Sequence, residues 1–351
     1  MFHITALPAS FGDCLWVEYG PDAAPNVILI DAGPSVPLTL KDRLQQLAAR
    51  GGVLELVVVT HVDRDHILGM LTLLDHDFYG VPVRDFWFNG FRHLPGPETF
   101  GAKQGERLTK LLLDKGIAWN VALKNAGVMV NDESCPVIDL PGGVKITLLS
   151  PDAGQLARLK IKWIDVCGEA DLYEGIPAMP TYFGEDGREA FGTEAVPNID
   201  RLADEVFRED TAEANGSSIA FSIEFEGKRV LCGADAFPSR LLSSLEKHLG
   251  APPYLFDLVK LPHHGSENNV SQEFIKSLDC SQYLFSTSGT PYKHPSKAAV
   301  ARVIQNAKTP KLIFNYQSKH TEIWENKVIQ MARGYTVEYG DAAGALVKLS
   351  Q

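Results

Sequence analysis

The chain has 351 residues, of which 45% are apolar and 22% charged, and this composition excludes a disordered, fibrous or membrane-embedded protein. Its formal charge of -11 argues, taken alone, against a protein that coats nucleic acid or an acidic membrane. The sequence contains neither a run of about 18 apolar residues nor a signal-peptide pattern. We therefore expect a cytoplasmic protein with no membrane partner.

The first part of the chain alternates strand-like and helix-like segments. The first two strands flank a Gly20-Pro21-Asp22 turn, and the first helix ends at Gly51-Gly52. Strands are predicted at 14–19, 26–30, 56–59, 83–88 and 144–149, and helices at 38–49, 65–74 and 104–115. This order is typical of an α/β fold.

A second α/β run begins at Ser218 and again alternates predicted strands and helices. It opens with a hairpin across Glu226-Gly227-Lys228. Strands are predicted at 219–225, 229–232, 257–261, 283–286, 312–315 and 345–349, and helices at 239–248 and from Ser296. The intervening residues 161–214 contain several prolines and glycines and show no sustained period. We interpret them as a long insertion or lid within a single domain spanning 1–351.

The excess negative charge belongs almost entirely to this insertion. Residues 161–214 contain 14 Asp and Glu against 4 Lys and Arg, whereas the rest of the chain contains 30 against 29. The body of the protein is therefore nearly neutral, and a phosphate-bearing ligand is not excluded there. Two hypotheses stay open for the insertion: an acidic lid that overhangs a site and repels long nucleic acids, or a solvated loop.

The strongest chemical pattern is the run Thr60-His61-Val62-Asp63-Arg64-Asp65-His66, between a predicted buried strand and a predicted helix. Ligands of open α/β sheets bind at the carboxyl ends of strands, where this run lies. In an extended loop, His61, Asp63 and Asp65 project to one side, and His66 follows in the first helical turn. Such a cluster can hold one or two divalent metal ions. The alternative is that Asp63 or Asp65 only caps the helix.

Further candidates each follow another predicted strand: Asp31, Asp235, His263, His264 and, after a loop, His294. Asp31 precedes Gly33 and has an Asx turn as its alternative role. A lone histidine is more often structural than a ligand. Repeated placement at strand ends nevertheless predicts that these side chains share one rim of the sheets.

In this order, these residues resemble the metallo-β-lactamase fold hydrolases, and among them the hydrolase domain of ComEC-type competence proteins. Beside the His61 to His66 run, the resemblance depends on Phe11-Gly12-Asp13-Cys14, Leu29-Ile30-Asp31-Ala32-Gly33, Asn215-Gly216-Ser217-Ser218, Gly233-Ala234-Asp235, His263-His264-Gly265-Ser266 and His294-Pro295. It covers most of the chain. It implies an αββα sandwich with the metal site at one edge of the sheets.

The resemblance also implies a role for each matching residue. The implied ligands are His61 and Asp63 for a first ion, Asp65 and His66 for a second, Asp235 as a bridge, and one of His263 and His264, with His264 preferred. Asp31 matches an outer residue that orients the histidine loop, a kind of partner on which metal sites depend.

Two departures from the family pattern make the first position richer in oxygen. The broad family usually has histidine where Asp63 stands, and another histidine where this chain has Asn215 to Ser218. Oxygen donors favour Mn²⁺ or Mg²⁺, while Zn²⁺ stays possible. We therefore expect one or two divalent ions, Zn²⁺ or Mn²⁺.

The chemistry expected of such a site is hydrolysis by metal-activated water. We expect Asp65 beside the attacking water. His294 is expected to donate a proton to the leaving group or to bind phosphate, unless it is only a loop residue. Ser218 and Asn215 are candidates to hydrogen-bond a substrate oxygen. Lys260 either offsets substrate charge or is a solvated strand residue.

Three functions remain open. The first is a phosphodiesterase or nuclease-like enzyme acting on a small-molecule or single-stranded nucleic-acid phosphodiester. The second is a hydrolase of a carboxylic ester, lactone or lactam, in which the same water attacks a carbonyl. The third is a non-catalytic, metal-binding regulatory module. A substrate panel separates the first two, and elemental analysis tests the third.

Overall fold

The computed structural model describes residues 1–95, 107–169 and 197–349. Its first large sheet contains the strands β1 (Phe2–Ala6), β2 (Leu15–Tyr19), β3 (Asn26–Ile30), β4 (Leu54–Val58), β5 (Phe86–Trp87) and β16 (Ala345–Lys348). Their order in the sheet is β16-β1-β2-β3-β4-β5. The pairs from β16 to β3 are antiparallel, whereas β3, β4 and β5 run parallel.

The second large sheet contains β6 (Val137–Asp139), β7 (Lys145–Ser150), β8 (Ala220–Phe225), β9 (Lys228–Cys232), β11 (Leu258–Lys260), β13 (Gln282–Phe285), β14 (Lys311–Phe314) and β15 (Thr336–Tyr339). Their order is β15-β14-β13-β11-β9-β8-β7-β6. The strands from β9 to β15 are parallel neighbours, and those from β6 to β9 are antiparallel. A small separate sheet pairs β10 (Tyr254–Leu255) with β12 (Leu278–Asp279).

The α-helices are α1 (Leu38–Ala49), α2 (Arg64–Asp75), α3 (Arg107–Asp114), α4 (Ala153–Glu169), α5 (Ile199–Ala203), α6 (Glu213–Gly216), α7 (Pro238–Leu249), α8 (Gln272–Lys276), α9 (Lys297–Asn306) and α10 (Lys327–Arg333). Among the described residues, none of these helices is both long enough and apolar enough to cross a membrane.

The two large sheets share one hydrophobic core. The ring of Phe225 on β8 lies 5.8 Å from that of Phe2 on β1 and 5.6 Å from that of Tyr19 on β2. Trp87 on β5 meets Phe221 on β8 at 6.2 Å. Edge-to-face contacts of this kind join the two sheets directly.

Helices bury the other face of the first sheet. Because side chains alternate along a strand, Trp16 and Leu29 point away from the shared core. They join Leu44 of α1 and Ile67 of α2 in a second core. A strand buried on both faces is mostly apolar, and all five residues of β4 are buried, including Glu55, which agrees with the buried strand predicted from the apolar run at 56–59.

The predicted mixed α/β class is confirmed. The predicted helix at 38–49 coincides with α1, and the one at 65–74 differs from α2 by one residue at each end. The predicted hairpin is formed by β8 and β9. The sequence patterns predicted none of β1, β6, β10, β12, β15, α4, α5, α6, α8 and α10.

The prediction that irregular structure begins at residue 161 is wrong. Helix α4 runs through this point to Glu169. Its buried residues Leu156, Leu159, Trp163 and Cys167 recur at helical spacing, and a division at 161 splits that repeat. The predicted insertion also contains α5 and the first two residues of α6, while its residues 170–196 lie outside the described part of the chain.

Candidate metal centre

Loops that follow strands of both sheets converge on one carboxylate. They bring together His61 after β4, Asp63 and the start of α2, Asp235 after β9, and His263 and His264 after β11. The Oδ2 atom of Asp235 lies 3.8 Å from Nε2 of His61, 3.6 Å from Nε2 of His66 and 3.7 Å from Nε2 of His263. The structure thus places candidates from distant parts of the sequence at one point.

Asp63 and Asp65 extend this cluster. Oδ2 of Asp65 lies 3.1 Å from Nε2 of His264 and 3.6 Å from Nε2 of His66, and Oδ2 of Asp63 lies 3.5 Å from Nε2 of His61. Donor atoms about 2.1 Å from a tetrahedral ion are about 3.4 Å apart. The observed separations are therefore those of atoms that can share an ion.

Several donor atoms of the cluster lack other partners. Nε2 of His61, Nε2 of His66 and Oδ1 of Asp235 are buried without a hydrogen bond to any described residue. An unpaired buried polar atom costs about 1–3 kcal/mol. Three such atoms at one point fit a site that binds a cation.

The Nδ1 atoms of His61 and His66 are held from behind. Nδ1 of His66 lies 2.8 Å from Oδ2 of Asp31. The Thr60 hydroxyl donates its single proton to the same oxygen at 2.7 Å. The hydroxyl oxygen must therefore accept the hydrogen bond from Nδ1 of His61, at 3.0 Å. With both protons on Nδ1, the lone pairs of both Nε2 atoms face the carboxylates.

His263 and His264 follow the same rule. Nδ1 of His264 donates to the carbonyl oxygen of Ser286 at 2.8 Å, and Nδ1 of His263 donates to Oδ1 of Asn269 at 2.9 Å. Their φ angles are 46° and 53°, so the chain turns where an extended backbone would send neighbouring side chains to opposite faces. The sequence left the choice between them open, and the structure brings both to the cluster.

The two sequence alternatives for Asp63 and Asp31 do not hold. Asp63 occupies the N-cap position of α2, yet within the described chain its side chain accepts no capping hydrogen bond. Asp65 lies inside the helix, and its carboxylate contacts Nε2 of His264. Asp31 accepts from the backbone N–H of Thr60 at 2.8 Å, a residue far away in sequence. Asp31 therefore links two loops instead of forming an Asx turn.

The electrostatics of the cluster favour positive charge. Burial alone would lower the pKa of His264, but Asp13 and Asp235 outweigh it and raise that pKa to about 10. The pKa of His66 is likewise raised, because Asp235 and Asp65 outweigh burial. Burial would raise the pKa of Asp235, yet the facing histidines hold it well below its usual value. Metal ions compete with protons for such donors.

Asp13 is a residue of the centre whose role was not predicted from the sequence. Donor atoms of Asp13, His66, Asp235 and His264 all lie within 4.8 Å of one another, a set that could hold a metal ion. The Asp13 carboxylate is also paired with Lys260, and its Oδ1 lies 3.3 Å from Nδ1 of His264. Because Nε2 of that ring faces Asp65, we assign Asp13 to orienting His264. The signal for it was the Phe11-Gly12-Asp13-Cys14 motif.

Lys260 and Ser218 have different surroundings from those expected. Lys260 is only 1% exposed and forms a salt bridge with Asp13, because β11 lies inside the second sheet. It is neither a solvated residue nor part of the cleft wall. Ser218 is buried, and its Oγ accepts from the backbone N–H of Asp235 at 3.3 Å. It therefore positions the Asp235 loop from behind.

A cleft of about 430 Å³ opens over the cluster. It is lined by Asp63, Arg64, Asp65, Asn215, Asp235, His263, His264, Tyr292 and His294. Burial, together with the neighbouring His263 and His264, lowers the pKa of His294 to about 3. With that pKa, this imidazole is neutral near pH 7 and has a single N–H to donate. Tyr292, 59% exposed and packed on Phe11 at 5.4 Å, was not identified from sequence.

The fold and the cluster define the chain as an α/β protein with a buried histidine and carboxylate site that could hold a metal ion. No protein-family model matches the chain, and neither does any curated protein.

Proposed function

We propose that the protein is a metal-dependent hydrolase of phosphodiesters with a fold of the metallo-β-lactamase type. One observation carries this proposal. Four histidines, each held through Nδ1, turn Nε2 toward three carboxylates at separations of 3.1–3.8 Å. Structural histidines have no reason to share one orientation around a buried negative centre.

The contacts support two overlapping sets of ligands. The first set is His61, Asp63, Asp235 and His263, and the second is Asp65, His66, Asp235 and His264. Each set has two nitrogen and two oxygen donors, which suits Zn²⁺ or Mn²⁺. Asp235 belongs to both sets and is the proposed bridge.

The layers of the molecule support the fold type. Two sheets share a core, helices cover the outer face of the first sheet, and the site lies where strand ends of both sheets meet. These features belong to the αββα arrangement that the resemblance to ComEC-type hydrolase domains implies.

The residues of the chain divide the catalytic work. When bound, divalent ions activate water and neutralise the charge of a phosphodiester. Asp65 lies both in the cluster and in the cleft wall, and we propose that it takes up the proton of the attacking water. Neutral His294 donates a hydrogen bond to a substrate oxygen. Arg64 contributes positive charge to the wall of the cleft.

The cleft limits the size of the substrate. Ligand pockets usually measure about 300–1,000 Å³. A volume of about 430 Å³ lies toward the small end of that range. A small phosphodiester or the end of a single strand fits these dimensions.

The test compares two histidines of the same helix region. His66→Ala removes a proposed ligand, whereas His76→Ala changes the exposed C-cap of α2. With Mn²⁺ or Zn²⁺, we expect His66→Ala to lose at least about a hundredfold in cleavage of bis(p-nitrophenyl) phosphate or a single-stranded oligonucleotide. His76→Ala should match the wild type.

Three outcomes would contradict the proposal. Equal turnover by the two variants would remove the cluster from catalysis. Turnover of carboxylic esters without turnover of phosphodiesters would indicate the other hydrolase class. Failure of the wild type to bind any metal by elemental analysis would favour a non-catalytic module.

A further inference from the structure

Asp210 lies beside the proposed metal centre, on the last part of the acidic segment 161–214. Its side chain is 12% exposed. Its Oδ2 accepts from Nδ2 of Asn215 at 2.6 Å and from Nδ2 of Asn269 at 3.2 Å, and its Oδ1 accepts from the backbone N–H of Ala212 at 2.9 Å. Both oxygens are thus engaged by donors.

Asp210 determines which way the Asn269 amide faces. A carboxylate only accepts hydrogen bonds, so the NH₂ group of Asn269 must point toward it. The same NH₂ group donates to the carbonyl oxygen of Asp235 at 3.1 Å. Oδ1 of Asn269 is therefore the atom that faces Nδ1 of His263, at 2.9 Å. Nδ1 of His263 also lies 3.5 Å from Oδ2 of Asp210 and 3.4 Å from Nδ2 of Asn215, and its contact with the Asn269 oxygen is the shortest of the three. This places the proton of His263 on Nδ1 and leaves the Nε2 lone pair toward Asp235.

The same carboxylate orients Asn215. Because Nδ2 of Asn215 is turned to Asp210, its Oδ1 is buried and has no hydrogen bond within the described ranges. The NH₂ group that could donate to a substrate oxygen is thus engaged by Asp210, and an amide oxygen repels a phosphate oxygen. This oxygen is suited to a cation or to a bound water.

The backbone around Asp210 is fixed to the loop that carries Asn269. The backbone N–H of Asp210 donates to the carbonyl oxygen of Asn268 at 3.1 Å. The guanidinium of Arg302, 1% exposed, donates to the carbonyl oxygens of Glu205 at 3.0 Å and Glu267 at 2.6 Å. The acidic segment is thus joined at two points to the loop that follows His264.

We propose that Asp210 is a positioning residue of the metal centre, which orients the amides of Asn215 and Asn269 and thereby holds His263 in its cation-binding tautomer. This inference rests on the proposed function. It also changes the interpretation of the acidic segment, because residues near Asp210 are part of the site. Deleting 161–214 would damage the centre as well as remove a lid.

The test uses two neighbouring carboxylates in the full chain. Asp210→Ala removes the acceptor of both amides. Glu209→Ala removes a carboxylate of the same charge that contacts neither Asn215 nor Asn269. The Glu209 carboxylate accepts a hydrogen bond from the backbone N–H of Ser239 at 2.8 Å. Mn²⁺ and Co²⁺ are titrated into metal-free protein by calorimetry, and Co²⁺ absorption reports the coordination. His263→Ala and His264→Ala identify which ion each histidine binds.

We expect Asp210→Ala to lower the affinity for the ion that depends on His263 by about 10–100-fold. The affinity for the ion that depends on His264 should stay within about threefold of the wild-type value. Glu209→Ala should bind both ions as the wild type does. Unchanged affinities in Asp210→Ala, or equal weakening of both ions in a folded variant, would overturn the proposal. A wild type that binds metal independently of His263 would also overturn it.

The proposed function fails on different observations, namely absent metal binding or absent phosphodiester cleavage by the wild type. Thermal unfolding of the metal-free variants checks their folding. If Asp210→Ala does not fold, Asn269→Ser keeps Asp210 and removes the oxygen that faces His263. The affinity for the ion that depends on His263 should then fall about 10–100-fold. An unchanged affinity in Asn269→Ser would refute the proposal that Asp210 acts on His263 through Asn269.

Discussion

Asp31 offers the most direct test of how the outer residues control the proposed metal centre. Its buried carboxylate accepts from the backbone N–H of Thr60 at 2.8 Å through Oδ1, and from the Thr60 hydroxyl at 2.7 Å and Nδ1 of His66 at 2.8 Å through Oδ2. Asp31 has a φ of 56°, which asparagine also tolerates. Asp31→Asn therefore keeps the backbone and the volume, and it replaces one acceptor by a donor.

The position of the new NH₂ group follows from which donors can change. The backbone N–H of Thr60 cannot become an acceptor, so the amide oxygen must stay opposite it. The NH₂ group then faces the Thr60 hydroxyl and His66, and both can accept after a proton moves. For His66 that proton moves to Nε2, the atom that faces Asp65 and Asp235, and it blocks cation binding there.

We expect Asp31→Asn to lower the affinity for Mn²⁺ or Zn²⁺ by about 10–100-fold, which corresponds to about 1.4–2.7 kcal/mol. The metal-free protein should unfold close to the wild-type temperature, because no buried donor is left without a partner. Competition with a chelator measures the affinity, and thermal unfolding without metal measures the stability.

Asp85 is the matched control. Its buried carboxylate accepts from the backbone N–H groups of Phe86, Val121 and Ala122 and from the indole of Trp87, at 2.9–3.0 Å. None of these four donors can become an acceptor. In Asp85→Asn, two of them face an NH₂ group in either orientation.

At about 1–3 kcal/mol for each unpaired donor, Asp85→Asn should lose about 2–6 kcal/mol of unfolding free energy. For 351 residues the unfolding entropy is about 0.7 kcal/mol/K, so Tm should fall by about 3–8 °C while metal affinity is kept. The reasoning is refuted if Asp31→Asn binds metal as tightly as the wild type, or if it lowers the metal-free Tm as much as Asp85→Asn does.

Two further predictions concern the whole centre. Mn²⁺ at about a thousandfold excess over its Kd should stabilise the protein by about 4.1 kcal/mol, which raises Tm by about 5–6 °C, and a chelator should reverse the shift. If scanning calorimetry shows the same Tm with Mn²⁺ and with the chelator as without either, the folded state does not bind the metal. Gly12→Ala should lose at least about tenfold in metal affinity, because a Cβ at Gly12 would lie 1.9 Å from the carbonyl oxygen of Asp65 and displace the start of α2. Gly154→Ala, where the nearest atom is 3.3 Å away, should bind metal normally, and equal affinities in the two variants would disprove the close-packing argument.

Local patterns determine much of this molecule. The helical period and the two glycines that follow locate α1, and the continuous apolar run locates β4. The residue types around His61 and Asp65 indicate metal ligands, since imidazoles and carboxylates at a strand end suit that chemistry and few others. The predictions of α1 and β4 are confirmed because each depends on neighbours within a few residues, and the ligand assignment stays a prediction.

Only the tertiary structure decides how those side chains are used. Lys260 is a charged strand residue in the sequence, and its place inside a sheet opposite Asp13 follows from the order in which distant strands pair. The orientation of Asn215 depends on Asp210, and both His263 and His264 reach the cluster because the backbone turns between them. Such roles depend on which atom of a side chain meets which partner across the fold. Sequence spacing carries no information about those contacts, because they form only when both sheets are packed together.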